Sequence, residues 1–178
     1  MVALHLEALF PGLRRAPYAV TSPASPDYNC VAWAAGDETA WWWPDAMGAY
    51  YWPVGIPREA SLGAFVEAYR SQRYEVCDGP HFEAGYEKIA LYADASGNPT
   101  HAARQRPDGS WTSKLGGLED IAHSMLDSLS GTAYGRPVLV SPPAHHRLKR
   151  LAGPGPSPRS SGPSFQASTF QPFNRSRA

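Results

Sequence analysis

The sequence predicts an α+β fold, because helical patterns occupy its first half and strand patterns its second. Between Leu62 and Gln72, apolar residues recur at positions i, i+3, i+4 and i+7, which is the spacing of one helix face. From Glu87 onward the pattern changes to short alternating segments separated by turn residues, which is typical of antiparallel strands. We expect one domain, since 178 residues are enough for a single good core.

Three helices are expected in the first half of the chain, at residues 1–10, 28–35 and 62–72. Asp27 and Ser61 stand where the N-caps of the second and third helices would lie. Residues 11–27 hold four prolines and are expected to be extended. An aromatic segment broken by prolines, residues 41–59, separates the second helix from the third.

Strands are expected at residues 74–77, 87–94, 101–105, 110–116 and 136–141. The pair Asp108-Gly109 is typical of a two-residue hairpin turn and joins the third of these strands to the fourth. One further helix is predicted over residues 118–129, because four apolar residues fall on one face there: Ile121, Met125, Leu126 and Leu129.

The chain divides into an N-terminal segment (1–16), a folded α+β domain (17–141) and a basic tail (142–178). From Gly153 onward, Gly, Pro and Ser supply 14 of 26 residues, which bury too little apolar surface to fold, so we expect disorder. The formal net charge is minus 6 over residues 1–140 and plus 6 over residues 141–178. The basic cluster of the tail is too short to indicate a nucleic-acid site, and a solvated tail is favoured.

Several classes of protein are disfavoured by the composition. There is no run of about 18 apolar residues and no secretory signal, so we expect a soluble, cytoplasmic protein without a membrane partner. Two cysteines, Cys30 and Cys77, are too few for a disulfide framework, although a bridge between them would inactivate either as a nucleophile. No CxxC pair, HExxH motif or glycine-rich phosphate loop occurs, and His101, Asp120 and His123 fit no standard zinc spacing, so neither metal nor cofactor is expected.

The stretch PDYNCVAWAAG, residues 26–36, places Cys30 in the first turn of a predicted helix. The dipole and free amides of a helix N-terminus lower the pKa of a thiol and can hold an oxyanion, so Cys30 is a candidate nucleophile. Asn29 is either a helix-start residue or a polar group near that oxyanion. The alternative for Cys30 is a buried small hydrophobic residue among Val31, Ala32 and Trp33.

A nucleophilic cysteine needs a base, and His101 is favoured among the six histidines. It opens a predicted strand directly after a turn, where a side chain can project into a cleft while its backbone stays fixed.

A cysteine that starts a helix, followed by a sheet in which a histidine opens a strand after a turn, resembles the papain-like cysteine peptidase fold, which includes the NlpC/P60 and bacterial papain-like toxin families. More narrowly, YNCVAWAAG together with HAARQRPDGSWTSKLG resembles a set of uncharacterised bacterial proteins in which both segments recur. The resemblance covers roughly residues 17–141. It implies helices that carry the nucleophile Cys30, a small antiparallel sheet that carries the general base His101, and a polar residue that orients the imidazole.

Three residues are candidates for orienting His101. If Asp108-Gly109 forms a two-residue loop, His101 shares a sheet face with Lys114, whereas a register shifted by one residue places Ser113 there. Gln105 lies on the same face of the strand as His101, and Asp120 could reach it from the next helix.

Aromatic residues are dense between Trp33 and Trp52, which include five of the six tryptophans. The candidates for substrate binding are Asn29, Trp33, Trp43, Trp52 and Trp111, with a packing role as the alternative. The primary hypothesis is a cysteine hydrolase or acyltransferase that acts on an amide or related acyl bond of a peptide or protein. The alternative is an inactive papain-like domain that binds a partner through its aromatic loop, and a third hypothesis is an effector docked by its basic tail.

Overall fold

The computed structural model describes residues 2–79, 81–84, 86–138 and 146–150, and it confirms the α+β class. The helices of this part are α1 (Val2–Leu9), α2 (Cys30–Ala35) and α3 (Leu62–Ser71). Its strands are β1 (Tyr18–Ser22), β2 (Tyr74–Asp78), β3 (Glu87–Ala93), β4 (Pro99–Gln105), β5 (Trp111–Lys114), β6 (Asp120–His123), β7 (Arg136–Val138) and β8 (His146–Arg150).

The strands form one antiparallel sheet in the order β1-β6-β5-β4-β3-β8-β2, with β7 paired to β3 as well. Strand β4 lies near the middle of this order, between β3 and β5. The side chains of β4 are largely buried because cores pack on both faces of the sheet. The sequence prediction of an antiparallel sheet after Glu87 is therefore confirmed.

Each face of the sheet carries its own hydrophobic core, because side chains alternate along a strand. Helices α2 and α3 pack on one face, which we call the helix face, against Ile89, Leu91 and Ala102. Segment α1 and two short 3-10 turns pack on the opposite face against Ala90, Tyr92 and Ala103. Neighbouring residues of β4 therefore belong to different cores.

The helix predicted over residues 118–129 is wrong. The structure has strand β6 there, followed by a 3-10 turn at Leu126–Leu129. Ile121 is buried on the sheet and pairs with both β1 and β5, while Met125 is half exposed. The apolar spacing fitted a helix by coincidence, and pairing with two neighbouring strands decides the conformation instead.

The expectation that residues 11–27 are merely extended is also wrong in part. A 3-10 turn occupies Pro11–Arg15, and Tyr18–Ser22 form β1 at the edge of the sheet. Leu6, Phe10 and Leu13 are buried in the second core, so packing is continuous across the predicted boundary at residue 16.

At the C-terminal end, the backbone of His146–Arg150 pairs with β2 and β3, so regular structure extends beyond the boundary predicted at residue 142. The last predicted strand is present at Arg136–Val138. Its residues 139–141, and the disorder predicted from Gly153 onward, lie outside the described residues.

Gly135 provides a direct test of the packing beside β3. Its φ is +69°, and a Cβ atom added there would lie 1.9 Å from the carbonyl oxygen of Ala93. We expect Gly135→Ala to lower the free energy of unfolding by about 3 kcal/mol or more, measured by urea denaturation. Gly97→Ala is the matched control, since φ is +86° but the added Cβ meets open space, and about 1 kcal/mol is expected. Equal losses in the two variants would contradict this packing.

Candidate functional site

Cys30 is the first residue of α2, and Asn29 holds it there. The Oδ1 atom of Asn29 accepts a hydrogen bond from the amide of Ala32 at 3.1 Å, so Asn29 is the N-cap instead of Asp27. The same oxygen accepts from the amide of Trp42 at 3.2 Å, and Nδ2 donates to the Trp42 carbonyl at 2.7 Å. Asn29 thus joins the helix start to the aromatic loop, and its side-chain groups are engaged in structural bonds.

The thiol of Cys30 is free but nearly buried, with 6% of the residue exposed. Burial raises the pKa of Cys30 to about 11 and outweighs the lowering effect of the nearby backbone amides of Ala102, Cys30 and Val31 and of the charge of Lys114. The sequence predicted a lowered thiol pKa at this helix start. The direction is the opposite, because desolvation exceeds the effect of the amides.

The backbone amide of Ala102 lies near the sulfur, so the thiol is close to the middle of β4. The register between β4 and β5 includes Arg104 and Gln105 and ends there in the described chain.

His101 projects from the opposite face of β4, into the second core. Its ring stacks on Tyr134 with a centroid distance of 4.2 Å and an interplanar angle of 10°, and Tyr92 contacts it edge-on at 5.1 Å. Only 2% of the residue is exposed. Burial holds the pKa of His101 well below its usual value, with a further contribution from His123, so the imidazole is neutral at pH 7.

A row of short polar contacts leads away from this imidazole. His101 Nε2 lies 3.1 Å from Ser113 Oγ, and Ser113 Oγ lies 2.9 Å from His123 Nε2. His123 Nδ1 in turn lies 2.8 Å from the carbonyl oxygen of Met125. We call these three side chains the His-Ser-His relay. Burial lowers the pKa of His123 to about 4, so the second imidazole is neutral at pH 7 as well.

Cys30 lies near the backbone amide of Ala102, the residue that follows His101 in β4. Yet the imidazole leaves the backbone on the other face, and its Nδ1 atom is buried without a hydrogen-bond partner. The expected hydrogen-bonded Cys-His pair is therefore not formed in this structure.

Of the three candidate orienters, only Ser113 contacts His101. The strand register pairs Arg104 with Thr112, so the shifted alternative is the one found. Gln105 shares the face of His101, but its Nε2 atom donates to the carbonyl of Gly109 at 3.2 Å and its Oε1 atom has no hydrogen-bond partner.

Asp120 lies on the helix face, away from the imidazole. Its Oδ2 atom accepts from the hydroxyl of Tyr28 at 2.6 Å, and its Oδ1 atom is 3.8 Å from Lys114 Nζ. The ammonium group also donates to the carbonyl of Leu118 and lies 5.2 Å from the centroid of the Tyr28 ring. Asp120 therefore belongs to a buried polar cluster on the side of Cys30 and does not orient His101.

A pocket of about 330 Å³ opens beside Cys30, which is within the size of small-ligand sites. Its walls include two tryptophans and a tyrosine of the aromatic loop, one residue of β4 and two residues from turns. Around Cys30 and Asn29 these are Trp41, Trp43, Tyr50, Thr100, Gly116 and Tyr134. Tyr134 is the link between the two halves of the site, since it lines this pocket and covers the imidazole of His101.

Of the tryptophans proposed for substrate binding, only Trp43 lines this pocket. Trp52 is 3% exposed in the first core, where it packs on Phe65, and Trp111 is 4% exposed in the second core. Both side chains are buried in the cores and neither lines this pocket. Trp33 lies one turn further along α2, under the guanidinium of Arg104, and lines a separate cleft.

Sequence analysis missed Tyr134 and His123 as members of the site. Tyr134 comes from a turn 33 residues beyond His101, and no local pattern marks it. His123 falls in the segment predicted as a helix, and pairing of β6 with β1 and β5 is what directs it toward Ser113.

No group of three or more potential metal ligands occurs among the residues that the structure describes. Within the same residues, no helix is long and apolar enough to cross a membrane.

Comparison with known proteins gives one match. The family model described as a domain of unknown function, DUF7689, matches residues 19–141. No curated protein and no solved structure matches the chain. The matched range contains Cys30, Tyr134 and the whole relay.

The buried imidazoles predict a loss of stability in mild acid. Unfolded histidines titrate near pH 6.5, whereas His123 titrates near 4 in the folded chain and His101 well below its usual value. The unfolded state therefore binds more protons in this window, and the free energy of unfolding falls as the pH is lowered through it. For His123 alone the loss approaches about 3 kcal/mol near pH 4.

Urea unfolding at pH 7, 6 and 5 measures this slope. His123→Gln should reduce the slope, while replacing exposed His5 by Asn should leave it unchanged. A slope near zero for the wild type, or the same slope in His123→Gln, would show that these imidazoles are not buried in neutral form.

Proposed function

The chain belongs to the DUF7689 family, and we propose that it is a papain-like thiol acyl hydrolase or acyltransferase, in which Cys30 is the nucleophile and His101 the general base. The substrate class is an amide or related acyl bond, with a peptide or protein as the carrier. The observation that carries the proposal is the state of His101. One ring nitrogen is fixed by Ser113, the other is buried and unpartnered, and the backbone amide that follows His101 lies near the sulfur.

The pKa values support general-base catalysis over a preformed ion pair. Burial raises the pKa of the Cys30 thiol to about 11 and lowers that of His101, so both groups are neutral at pH 7. Proton transfer then accompanies attack. His101 Nδ1 takes the thiol proton as the sulfur bonds to the acyl carbon, and the imidazolium returns that proton to the leaving amine or alcohol.

A hydrolase and an acyltransferase differ in the second half-reaction. Water attacks the Cys30 thioester in a hydrolase, and a second amine or alcohol attacks it in an acyltransferase. In each case His101 accepts one proton from the attacking group, and the sulfur regains a proton as the thioester breaks.

The pocket is suited to holding the acyl group. Its walls beside Cys30 are aromatic, with Trp41, Trp43 and Tyr50 on one side and Tyr134 on the other. Flat apolar walls bury acyl-chain or side-chain surface and exclude water from the thioester. Tyr134 also covers His101, so the proposed reaction requires its ring to move before the imidazole can reach the thiol.

A second candidate function is non-catalytic partner binding through the aromatic loop. Two observations favour it: the thiol is nearly buried, and Met47 and Val54 of the loop are 92% and 100% exposed. Exposed apolar side chains at a loop tip are typical of a contact surface.

Single-turnover acylation by 4-nitrophenyl acetate tests the proposal, with the acylated residue located by mass spectrometry. We expect an acetyl group on Cys30, formed roughly 100-fold faster in the wild type than in His101→Gln. The glutamine amide keeps a donor for Ser113 but removes the base, so the fold around it is preserved. Cys77→Ser is the control for the second thiol and should leave the rate unchanged.

Equal acylation rates in the wild type and His101→Gln would overturn the proposal. So would modification confined to Cys77. Either outcome would favour the binding function.

A further inference from the structure

The hydrogen bond between His123 and the Met125 carbonyl determines which atoms of the His-Ser-His relay carry protons. A backbone carbonyl only accepts hydrogen bonds, so His123 Nδ1, at 2.8 Å from the carbonyl oxygen of Met125, must carry a proton. The ring is neutral, since burial lowers its pKa to about 4, and Nε2 is therefore a bare acceptor. Ser113, at 2.9 Å, must then donate its single hydroxyl proton to His123.

The same logic fixes the tautomer of His101. With its proton directed at His123, Ser113 Oγ can only accept from His101 Nε2, at 3.1 Å. His101 therefore carries its proton on Nε2. In a neutral ring this leaves Nδ1 as a bare lone pair, and Nδ1 is the atom that has no partner in the structure.

We propose that His123 is a positioning residue that acts through Ser113 to keep His101 Nδ1 unprotonated and ready to accept a proton. This inference rests on the proposed function, because it assigns the far end of the same site. His123 touches neither the thiol nor the pocket walls, and its effect passes through one hydroxyl group.

The opposite tautomer is disfavoured by the carbonyl of Met125. Reversing all the protons would place a ring lone pair of His123 against the carbonyl oxygen, with both groups buried. Two buried acceptors that face each other without a proton between them cost free energy comparable to a lost hydrogen bond. The Met125 carbonyl thus determines the tautomer of His123, and the Ser113 hydroxyl in turn determines the tautomer of His101.

The tautomers are measured by two-bond ¹H–¹⁵N correlation spectra of the imidazole rings. In the wild type we expect opposite tautomers, with the proton of His101 on Nε2 and that of His123 on Nδ1. This readout requires no variant and no activity. A wild-type spectrum with the proton of His101 on Nδ1 would overturn the inference outright.

A matched pair of variants tests transmission through Ser113. His123→Gln keeps an acceptor where Nε2 stood, so His101 should remain protonated on Nε2 and acylation of Cys30 should stay within about threefold of the wild type. His123→Asn reaches only to the position of Nδ1 and removes that acceptor. The Ser113 hydroxyl can then turn, and we expect a mixed tautomer of His101 with acylation slowed by at least about tenfold.

His5→Asn is the control for a lost imidazole at an exposed position and should change nothing. An unchanged His101 tautomer in His123→Asn would overturn the inference even if Cys30 is acylated. If the tautomers behave as expected while Cys30 is never acylated, the proposed function fails and the positioning of His101 stands. The two failures are therefore distinguishable.

Discussion

The hydroxyl group of Ser113 lies between two buried imidazoles, and the chemistry of the site depends on which of them receives its one proton. A hydroxyl donates once and accepts on its lone pairs, so it can join two rings only if one ring donates to it and the other accepts from it. The carbonyl of Met125 settles that choice by requiring a donor from His123. As a result, the Nδ1 atom of His101 carries no proton and can accept one.

The central strand explains how the proposed nucleophile and the proposed base come from different cores. Alternation along β4 sends Ala102 to the helix face and His101 to the other, and α2 packs on the helix face. The sulfur lies near the backbone amide of Ala102, and the described pairing between β4 and β5 includes only Arg104 and Gln105.

Burial is what makes the site neutral at rest. The thiol pKa of about 11 and the lowered histidine pKa values have the same cause, which is removal of the charged forms from water. A thiolate-imidazolium pair would need each group to ionise without solvent. In the proposed reaction the charge forms only as the acyl bond is attacked, and Tyr134 keeps the imidazole dry until then.

The sequence predicted the elements with strong local patterns and failed where pairing between distant segments decides. Helix α3 and strands β3 and β4 follow from apolar spacing and turn residues, and so does the place of Cys30 at a helix start. The segment after Leu118 failed because its spacing suits a helix as well as a strand, and only its neighbours distinguish the two.

The same contrast between local patterns and contacts of distant segments applies to the candidate site. Ser113 was among the predicted orienters, but only the register of β5 selects it over Gln105 and Asp120. The burial that raises the pKa of Cys30 depends on packing from α3 and the aromatic loop, which a helix-start motif does not encode. His123 and Tyr134 reach His101 through the folded chain alone, so no spacing in the sequence indicates them.

A neutron crystal structure of the deuterated wild-type protein at neutral pH examines the relay most directly, because it locates each exchangeable hydrogen. The relay requires deuterium on His101 Nε2, on His123 Nδ1 and on Ser113 Oγ in the direction of His123, with none on His101 Nδ1. Deuterium on His101 Nδ1, or a Ser113 hydroxyl directed at His101, would contradict it.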